Sequence, residues 1–300
     1  MDSFFLLASP QNPRIKSAAA LRDAKSRRQQ GLFLIDGIGL IERALQGGIS
    51  LEQLFVRDDA DSMAQLRSLL ANYPLNDAQS CCFRVAPAAM EKLQYGQRDL
   101  ELIAVAKVPK TDLDGFSERV QTRWSHSKRP NSEPQREVAS RRSHPCYLVL
   151  DRIEKPGNLG AALRTADGAG VTGVLLADPI CDAWNPNAVR ASLGALFTVP
   201  IAIATEAAVQ AWLAKSNIQI FAARVEGSKC YTAANYQQPH AIVIGNEAEG
   251  LQHRWLDPSI KPIAIPMSGV VDSLNASVST AVVLYESKRQ NEMLIATSPR

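Results

Sequence analysis

The second half of the chain alternates short, almost wholly apolar runs with longer helical patterns. The runs at 147–150, 173–177 and 241–244 have the composition of strands that are buried on both faces. Neighbouring parallel strands need a long crossover between them, and a helix usually provides it. The alternation therefore predicts an α/β domain with a parallel sheet that is covered by helices on both faces.

The same patterns place the individual elements. In the second half, strands are predicted at 147–150, 173–177, 199–204, 218–222, 241–244 and 262–265, and helices at 159–169, 188–196, 206–215 and 274–290. In the first half, strands are predicted at 32–36, 53–57, 82–85 and 102–107, and helices at 12–30, 37–46, 62–72 and 87–94. The first half is therefore predicted to be a smaller α/β unit.

A polar stretch separates the two halves. Residues 119–145 contain three prolines and many charged side chains but show no apolar period, which predicts a basic linker. The chain accordingly divides into residues 1–118, this linker, and a larger domain over residues 146–300.

Positive charge is concentrated toward the first half. The chain as a whole carries a net charge of +3, but residues 1–145 hold 21 Lys and Arg against 17 Asp and Glu, whereas residues 146–300 hold 12 against 13. The predicted helix at 12–30 carries six basic residues: Arg14, Lys16, Arg22, Lys25, Arg27 and Arg28. This clustering favours a contact with a nucleic acid, although a solvated helix face has the same composition.

Composition and cysteine spacing narrow the classes of protein to which the chain can belong. No apolar run approaches the roughly 18 residues of a membrane span, and the amino terminus lacks the pattern of a secretory signal. The five cysteines lack metal-ligand spacing. We therefore expect a cytoplasmic protein with no membrane contact and no metal.

The first candidate motif, at 155–170, follows the strand at 147–150. Asn158 is a plausible amino-terminal cap for the next helix, and Gly160 allows a close backbone approach. Arg164 comes six residues after Asn158, a little under two helical turns along, and is expected to point back toward the end of the strand. A capped helix with a solvated arginine would explain the same residues.

The second candidate motif is the sequence GNEAEG that ends the strand at 241–244. Gly245 and Gly250 flank it, and Glu247 is placed to hold an arginine or a cationic group. A simple turn between a strand and a helix would also account for this motif.

The third candidate motif runs from 263 to 286, where a strand ends at Pro266 and Met267. Ser273 and Asn275 then open a helix whose first turns are built from small residues, which let another segment pass closely. Both side chains could also serve only as helix caps. All three motifs follow the carboxyl ends of predicted strands, where open α/β sheets bind ligands.

Taken together, the motifs resemble those of the SpoU/TrmH branch of the SPOUT RNA methyltransferases. Asn158, Gly160 and Arg164 match the family's first motif, and Gly245, Glu247 and Gly250 match its GxExxG motif. The third motif, IPM-x-G-x-x-x-SLN, is matched by Ile265, Pro266, Met267, Gly269, Ser273, Leu274 and Asn275. The segment that begins at Arg190 also looks like the family, whereas Ala276 and Thr280 depart from the commoner valine and alanine.

The resemblance implies a trefoil-knotted parallel-sheet methyltransferase domain, in which the chain after Ile265 passes through the loop near Gly245. It further implies a homodimer with the RNA site between subunits, and S-adenosylmethionine as cofactor. The implied cofactor-binding residues are Gly245, Asn246, Gly250, Ile265, Pro266, Met267, Leu274 and Asn275. The segments NPRIK, FLIDG and IERAL resemble the amino-terminal substrate-binding α/β domain often fused to this family, with Asp36 where glutamate is expected.

The implied activity is methylation of a ribose 2′-hydroxyl in structured RNA, with ribosomal RNA favoured over transfer RNA. The implied catalytic residues are Arg164, Asn158, Glu247, Ser273 and Asn275. Because a guanidinium stays protonated, we expect Arg164 to polarise the hydroxyl and hold a phosphate, with Glu247 and Asn158 fixing its position. Three alternatives stay open: a SPOUT enzyme that methylates a base, a non-catalytic RNA- or ribosome-binding protein, and an oxidoreductase, which would need GxGxxG where PGNLG stands.

Overall fold

The computed structural model describes residues 4–75, 78–94, 100–127, 144–224, 228–246, 249–251 and 253–297. It divides into two compact units. The first contains Met1–Pro109 together with Trp184–Thr198, and the second contains Lys110–Ala183 together with Val199–Arg300.

The first unit is built on a mixed five-stranded sheet. Its strands are β1 (Phe5–Leu7), β2 (Leu32–Asp36), β3 (Leu51–Arg57), β4 (Cys82–Val85) and β5 (Leu102–Lys107), in the order β1-β4-β3-β5-β2. Its helices are α1 (Pro13–Ala20), α2 (Ala24–Gln30), α3 (Ile38–Gln46), α4 (Ala60–Asn72), α5 (Ala78–Cys81) and α6 (Pro87–Leu93). β1 and β3 pair with β4 in parallel, whereas β5 pairs with β2 and β3 antiparallel.

The single helix predicted at 12–30 is wrong, because the chain breaks between α1 and α2. The Asp23 carboxylate accepts hydrogen bonds from the backbone N–H groups of Lys25 and Ser26, at 2.9 and 3.1 Å, and so begins a new helix. Arg22, in the break, forms two hydrogen bonds of 2.9 and 3.0 Å with the Asp36 carboxylate. Arg27 is buried and donates to the carbonyl oxygen of Leu21. Two of the six basic residues therefore make hydrogen bonds within the first unit.

Residues 184–198 contribute two short helices to the first unit. They are α9 (Pro186–Ala191) and α10 (Ala195–Thr198), so the one helix predicted at 188–196 is also wrong. Leu193 and Gly194 stand between them with φ values of 49° and 91°, which no α-helix accommodates. A Cβ at Gly194 would lie 2.3 Å from Cδ of Arg43, so this position needs glycine for its space as well as for its backbone.

The second unit is built on a seven-stranded sheet in which every pair is parallel, as predicted. Its strands are β6 (Cys146–Asp151), β7 (Gly173–Ala177), β8 (Ile201–Ala204), β9 (Gln219–Ala223), β10 (Lys229–Cys230), β11 (His240–Ile244) and β12 (Lys261–Ala264). The order is β10-β12-β9-β11-β6-β7-β8. Its helices are α7 (Leu113–Ser127), α8 (Pro156–Gly168), α11 (Glu206–Lys215) and α12 (Ala276–Thr297).

Helix α7 occupies the start of the predicted linker. The expectation of irregular chain from residue 119 is wrong as far as Ser127, and residues 128–143 lie outside the described part of the chain. Phe116 and Val120 are buried in the core of the second unit, where the Phe116 ring meets the Trp212 ring edge-on at 5.3 Å. Burial of these two side chains, four positions apart, outweighs the polar composition of the remainder. The division at 118 and 145 stays a prediction.

Within the described ranges, no helix combines the length and apolar composition needed to cross a bilayer. No group of three or more His, Cys, Asp or Glu side chains suited to hold a metal ion occurs in the same residues.

Candidate active site

A cavity of about 450 Å³ opens at the carboxyl edge of the seven-stranded sheet. Residues that follow β9 and β11 form one side of it, and the residues that begin α12 form another. The lining consists of Ala223, Arg224, Ile244, Gly245, Asn246, Glu249, Gly250, Leu251, Leu256, Ser273, Leu274, Ala276 and Ser279. Its volume falls in the range of sites for small molecules and cofactors.

The glycines of the second motif form a tight turn in the cavity wall. A Cβ at Gly245 would lie 2.6 Å from the carbonyl carbon of Gly250, so any side chain at position 245 would force the backbone apart. Gly250 has a φ of 68° and donates its backbone N–H to the carbonyl oxygen of Asn246 at 3.0 Å. Glu247, between them, lies outside the described residues.

Asn246 ties this turn to the neighbouring strand β6. Its side-chain amide donates a 3.0 Å hydrogen bond to the carbonyl oxygen of Arg152, which directly follows β6. Arg152 has a φ of 50°, and its guanidinium lies 3.8 Å from the carboxylate of Glu249 in the cavity wall. The ends of β6 and β11 are thus held together where the cavity opens.

Asn275 joins the third motif to the first. Its Oδ1 accepts hydrogen bonds from the backbone N–H and the hydroxyl of Ser277, at 2.9 and 2.7 Å, and so caps α12. Its Nδ2 donates to Oδ1 of Asn158 at 3.1 Å. The capping role and the contact between motifs are therefore combined in one side chain.

The role predicted for Asn158 as a helix cap is wrong. Helix α8 begins at Pro156, its cap position is Lys155, and Asn158 lies in the first turn. Proline suits the first position of a helix because its φ is already helical and its missing N–H would have had no partner there. Asn158 therefore does not cap α8, and its side chain accepts the hydrogen bond from Asn275. Arg164 lies further along α8, and its side chain is exposed.

Helices α8 and α12 are also in contact where α8 ends, beside the middle of α12. The ammonium group of Lys288 donates to the carbonyl oxygen of Gly168 at 3.3 Å. A Cβ at Gly168 would lie 3.1 Å from the Tyr285 hydroxyl. The helix that carries Arg164 is therefore held against the helix that begins at the third motif.

The cavity contains part of the predicted site. Gly245, Asn246, Gly250, Ser273 and Leu274 line it. Of the described residues predicted to hold the cofactor, Ile265, Pro266, Met267 and Asn275 lie outside the lining. The predicted roles of all these residues stay predictions.

The sequence analysis missed two charged residues of the lining, Arg224 and Glu249. Arg224 directly follows β9, so the rule that ligands bind at the carboxyl ends of parallel strands would have found it. Glu249 belongs to the second motif but is not one of its matched positions.

A parallel sheet with a glycine-walled cavity at its carboxyl edge is typical of α/β proteins that bind a small-molecule ligand or cofactor. Residues 145–285 match the SpoU rRNA Methylase family, and residues 12–104 match the MRM3-like substrate binding domain. The chain belongs to the SpoU/TrmH family of RNA methyltransferases.

Solved structures and a curated relative agree with this assignment. The crystal structure of an RNA 2′-O ribose methyltransferase is 35% identical, with a TM-score of 0.71, and the match covers 95% of this chain and 99% of that one. The SpoU methyltransferase AviRb from Streptomyces viridochromogenes, in complex with AdoMet, is 26% identical over 93% of this chain and 98% of that one, with a TM-score of 0.76. The 23S rRNA (guanosine(2553)-2′-O)-methyltransferase RlmP of Bacillus subtilis is 23% identical over 93% of this chain and 97% of its own.

These matches confirm the predicted family and the α/β fold with its amino-terminal substrate-binding domain. The trefoil knot stays a prediction.

Proposed function

We propose that this chain transfers a methyl group from S-adenosylmethionine to a ribose 2′-hydroxyl of ribosomal RNA. The observation that carries the proposal is the hydrogen bond between Asn158 and Asn275. It joins the helix of Arg164 to the segment that lines the cavity, which supports assigning the arginine and the cofactor to one site. The names of the relatives, which act on 23S rRNA or on RNA ribose, support this choice of substrate.

The cavity fits the proposed cofactor. Gly245 and Gly250 leave backbone groups without side chains at its wall, and Leu251, Leu274 and Ile244 add apolar surface for an adenine ring. When bound, S-adenosylmethionine supplies an activated methyl group whose leaving group is a neutral thioether. The residues of the chain then need only align the ribose oxygen and assist the loss of its proton.

Arg164 is the residue proposed to act on the ribose. Its exposed guanidinium has five N–H donors in a planar fork, which suits a phosphate together with a hydroxyl oxygen. Because a guanidinium stays protonated near neutral pH, it would polarise the hydroxyl rather than remove the proton, which leaves to the phosphate or to water. Asn158 and Glu247 would position Arg164, while Ser273 and Asn275 would face the reacting centre.

Four exposed basic residues of α1 and α2 are proposed to hold the RNA backbone. They are Arg14, Lys16, Lys25 and Arg28. Each phosphate contact releases a counterion, so replacing Lys16 and Arg28 by alanine should weaken RNA binding and lower the salt dependence of the binding constant by about one unit per lost contact. Lys215→Ala, which removes an exposed charge from α11, serves as the control and should leave the slope unchanged.

We further propose that two copies associate through α12. Val278, Tyr285 and Met293 form one exposed stripe on it, with 46%, 51% and 54% of their surfaces accessible. Val270 and Val271, which precede the helix, are exposed as well. Such an apolar stripe is typical of an interface. Val278→Glu should shift the mass measured by light scattering from a dimer to a monomer, and an unchanged mass would exclude this face.

The proposed compartment is the cytoplasm. Two alternatives survive: methylation of a base, and RNA binding without catalysis.

Nucleoside mass spectrometry distinguishes the proposed function from these two alternatives. The wild type and Arg164→Ala would each be incubated with S-adenosylmethionine and unmodified ribosomal or transfer RNA, with Lys215→Ala as control. We expect a 2′-O-methylnucleoside from ribosomal RNA that Arg164→Ala fails to make. A methylated base would overturn the ribose assignment, and product from transfer RNA alone would overturn the substrate.

A further inference from the structure

Arg224 occupies a fixed position in the cavity wall. It directly follows β9, and its backbone N–H donates to the carbonyl oxygen of Ile263, at the end of β12, at 2.9 Å. Its own carbonyl oxygen accepts a 2.6 Å hydrogen bond from the hydroxyl of Ser228. The base of this side chain is therefore anchored on both sides, at the edge of the sheet where the cavity opens.

The guanidinium of Arg224 has an unsatisfied donor. Its Nε is buried and makes no hydrogen bond to any of the described residues. An arginine side chain cannot escape this cost by losing its charge, because a guanidinium stays protonated in proteins. A buried donor without an acceptor costs roughly 1–3 kcal/mol, and more for a charged group. The position therefore calls for an acceptor that the described residues do not supply.

The remaining lining does not balance this charge. Apart from Arg224, the one charged side chain in the described lining is Glu249, and it lies 3.8 Å from the guanidinium of Arg152. The other lining residues are neutral: small, apolar, or of the serine and asparagine type. A ligand that fills this cavity thus meets an arginine that favours a negative group.

We propose that Arg224 binds the α-carboxylate of S-adenosylmethionine. The inference rests on the proposed function and adds to it a residue outside the three motifs. The carboxylate is the donor's one anionic group, and its two oxygens match two parallel N–H donors of a guanidinium. The ammonium and sulfonium groups of the same ligand are repelled by Arg224, so the contact sets the direction in which the ligand lies in the cavity.

Calorimetric binding of two ligands to three proteins tests this contact without any turnover. The ligands are S-adenosylmethionine and its decarboxylated form, which differ at the carboxylate. The proteins are the wild type, Arg224→Met and Arg224→Lys. We expect the wild type to bind S-adenosylmethionine about 10- to 100-fold more tightly than the decarboxylated form, and Arg224→Met to lose that preference. Arg224→Lys, which keeps the charge without the fork, should retain part of it.

The outcomes distinguish this inference from the proposed function. A wild type that binds neither ligand would overturn the proposed function itself. A wild type that binds both ligands equally, or an Arg224→Met protein that keeps the wild-type preference, would overturn the role of Arg224 alone. If Arg224→Met weakened the binding of both ligands equally, that result would also overturn the role of Arg224. A lost contact to the nucleoside, or a loss of folding, would affect the two ligands alike. Lys215→Met is the control for the loss of one positive charge and should behave as the wild type.

Discussion

The side-chain amide of Asn275 donates a 3.1 Å hydrogen bond to Oδ1 of Asn158, although 117 residues separate the two in the chain. The same Asn275 caps α12, and Asn158 lies in the first turn of the helix that carries Arg164. One pair of amides thus holds the proposed catalytic helix against the segment that lines the cavity.

Replacement of Asn275 by serine should separate its two roles. Serine is as good a helix cap as asparagine, so the stability of Asn275→Ser should stay within about 0.5 kcal/mol of the wild type. Its hydroxyl is too short to reach Asn158, so we expect methyl transfer to fall at least tenfold. Asn275→Ala loses both roles, so in addition to the loss of methyl transfer its free energy of unfolding should fall by about 1 kcal/mol. Urea unfolding and single-turnover methyl transfer check both; full activity in Asn275→Ser would contradict the assignment.

Gly245→Ala should abolish cofactor binding. The added methyl group would lie 2.6 Å from the backbone of Gly250, and neither backbone segment yields as a flexible side chain would. We expect no detectable heat of binding with S-adenosylmethionine. Gly39→Ala is the matched control, since a Cβ there meets nothing within 4 Å and the position is helical. That variant should bind normally and gain about 0.4–1 kcal/mol of stability; normal binding by Gly245→Ala would refute the steric argument.

Acid should weaken the first unit partly through Asp59. Its carboxylate caps α4, accepting from the backbone N–H of Ser62 at 2.8 Å and from Arg57, and these contacts lower its pKa to about 2 from the ordinary 3.8. Because the folded pKa is the lower one, the stabilisation is present above pH 3.8 and is lost as the pH falls toward 2. Asparagine also caps helices but does not titrate. Between pH 4 and pH 2, the free energy of unfolding of Asp59→Asn should therefore fall less than that of the wild type, as measured by urea denaturation. Equal falls in the two proteins would show that Asp59 does not contribute to the acid sensitivity.

A buried hydrogen bond between His240 and Ser287 should matter for stability rather than for catalysis. Nε2 of His240 lies 2.8 Å from the Ser287 hydroxyl, and Nδ1 lies 2.7 Å from the carbonyl oxygen of Gln238. His240 begins β11, at the opposite end of the strand from the cavity. Ser287→Ala leaves a buried ring nitrogen without this partner and should cost about 1–3 kcal/mol.

The comparison that checks this prediction is a double-mutant cycle with His240→Phe, read by urea unfolding. We expect the two changes to be non-additive, because each removes the same hydrogen bond. The affinity for S-adenosylmethionine at 10 °C should stay within twofold of the wild type in Ser287→Ala. A tenfold loss of affinity would instead connect this cluster to the site.

Local patterns predicted most of the core strands. β2, β4, β5 and β7 begin and end where the sequence predicts, because each is a short and mainly apolar run. β1 and β10 were missed, since both are short strands at sheet edges and bury too few side chains to leave a pattern. β2 also lies at a sheet edge but was predicted, because four of its five residues are buried.

Two of the errors have the same cause: a distant contact outweighed the local pattern. The helix predicted at 12–30 is broken beside Arg22, whose guanidinium is held by Asp36. The predicted linker is helical as far as Ser127, because Phe116 and Val120 are buried against a domain whose strands begin later in the chain. Composition alone contains no information about such partners.

The sequence by itself determined the family, the parallel sheet and the positions of the three motifs, because apolar periodicity and residue spacing are local properties of the chain. Only the tertiary structure decided that Asn158 faces Asn275 instead of capping its helix, and that Arg224 stands in the cavity wall with a buried donor. These relationships depend on which strands lie side by side in the sheet. That order follows from the packing of the whole domain, whose free energy is summed over contacts between residues far apart in sequence.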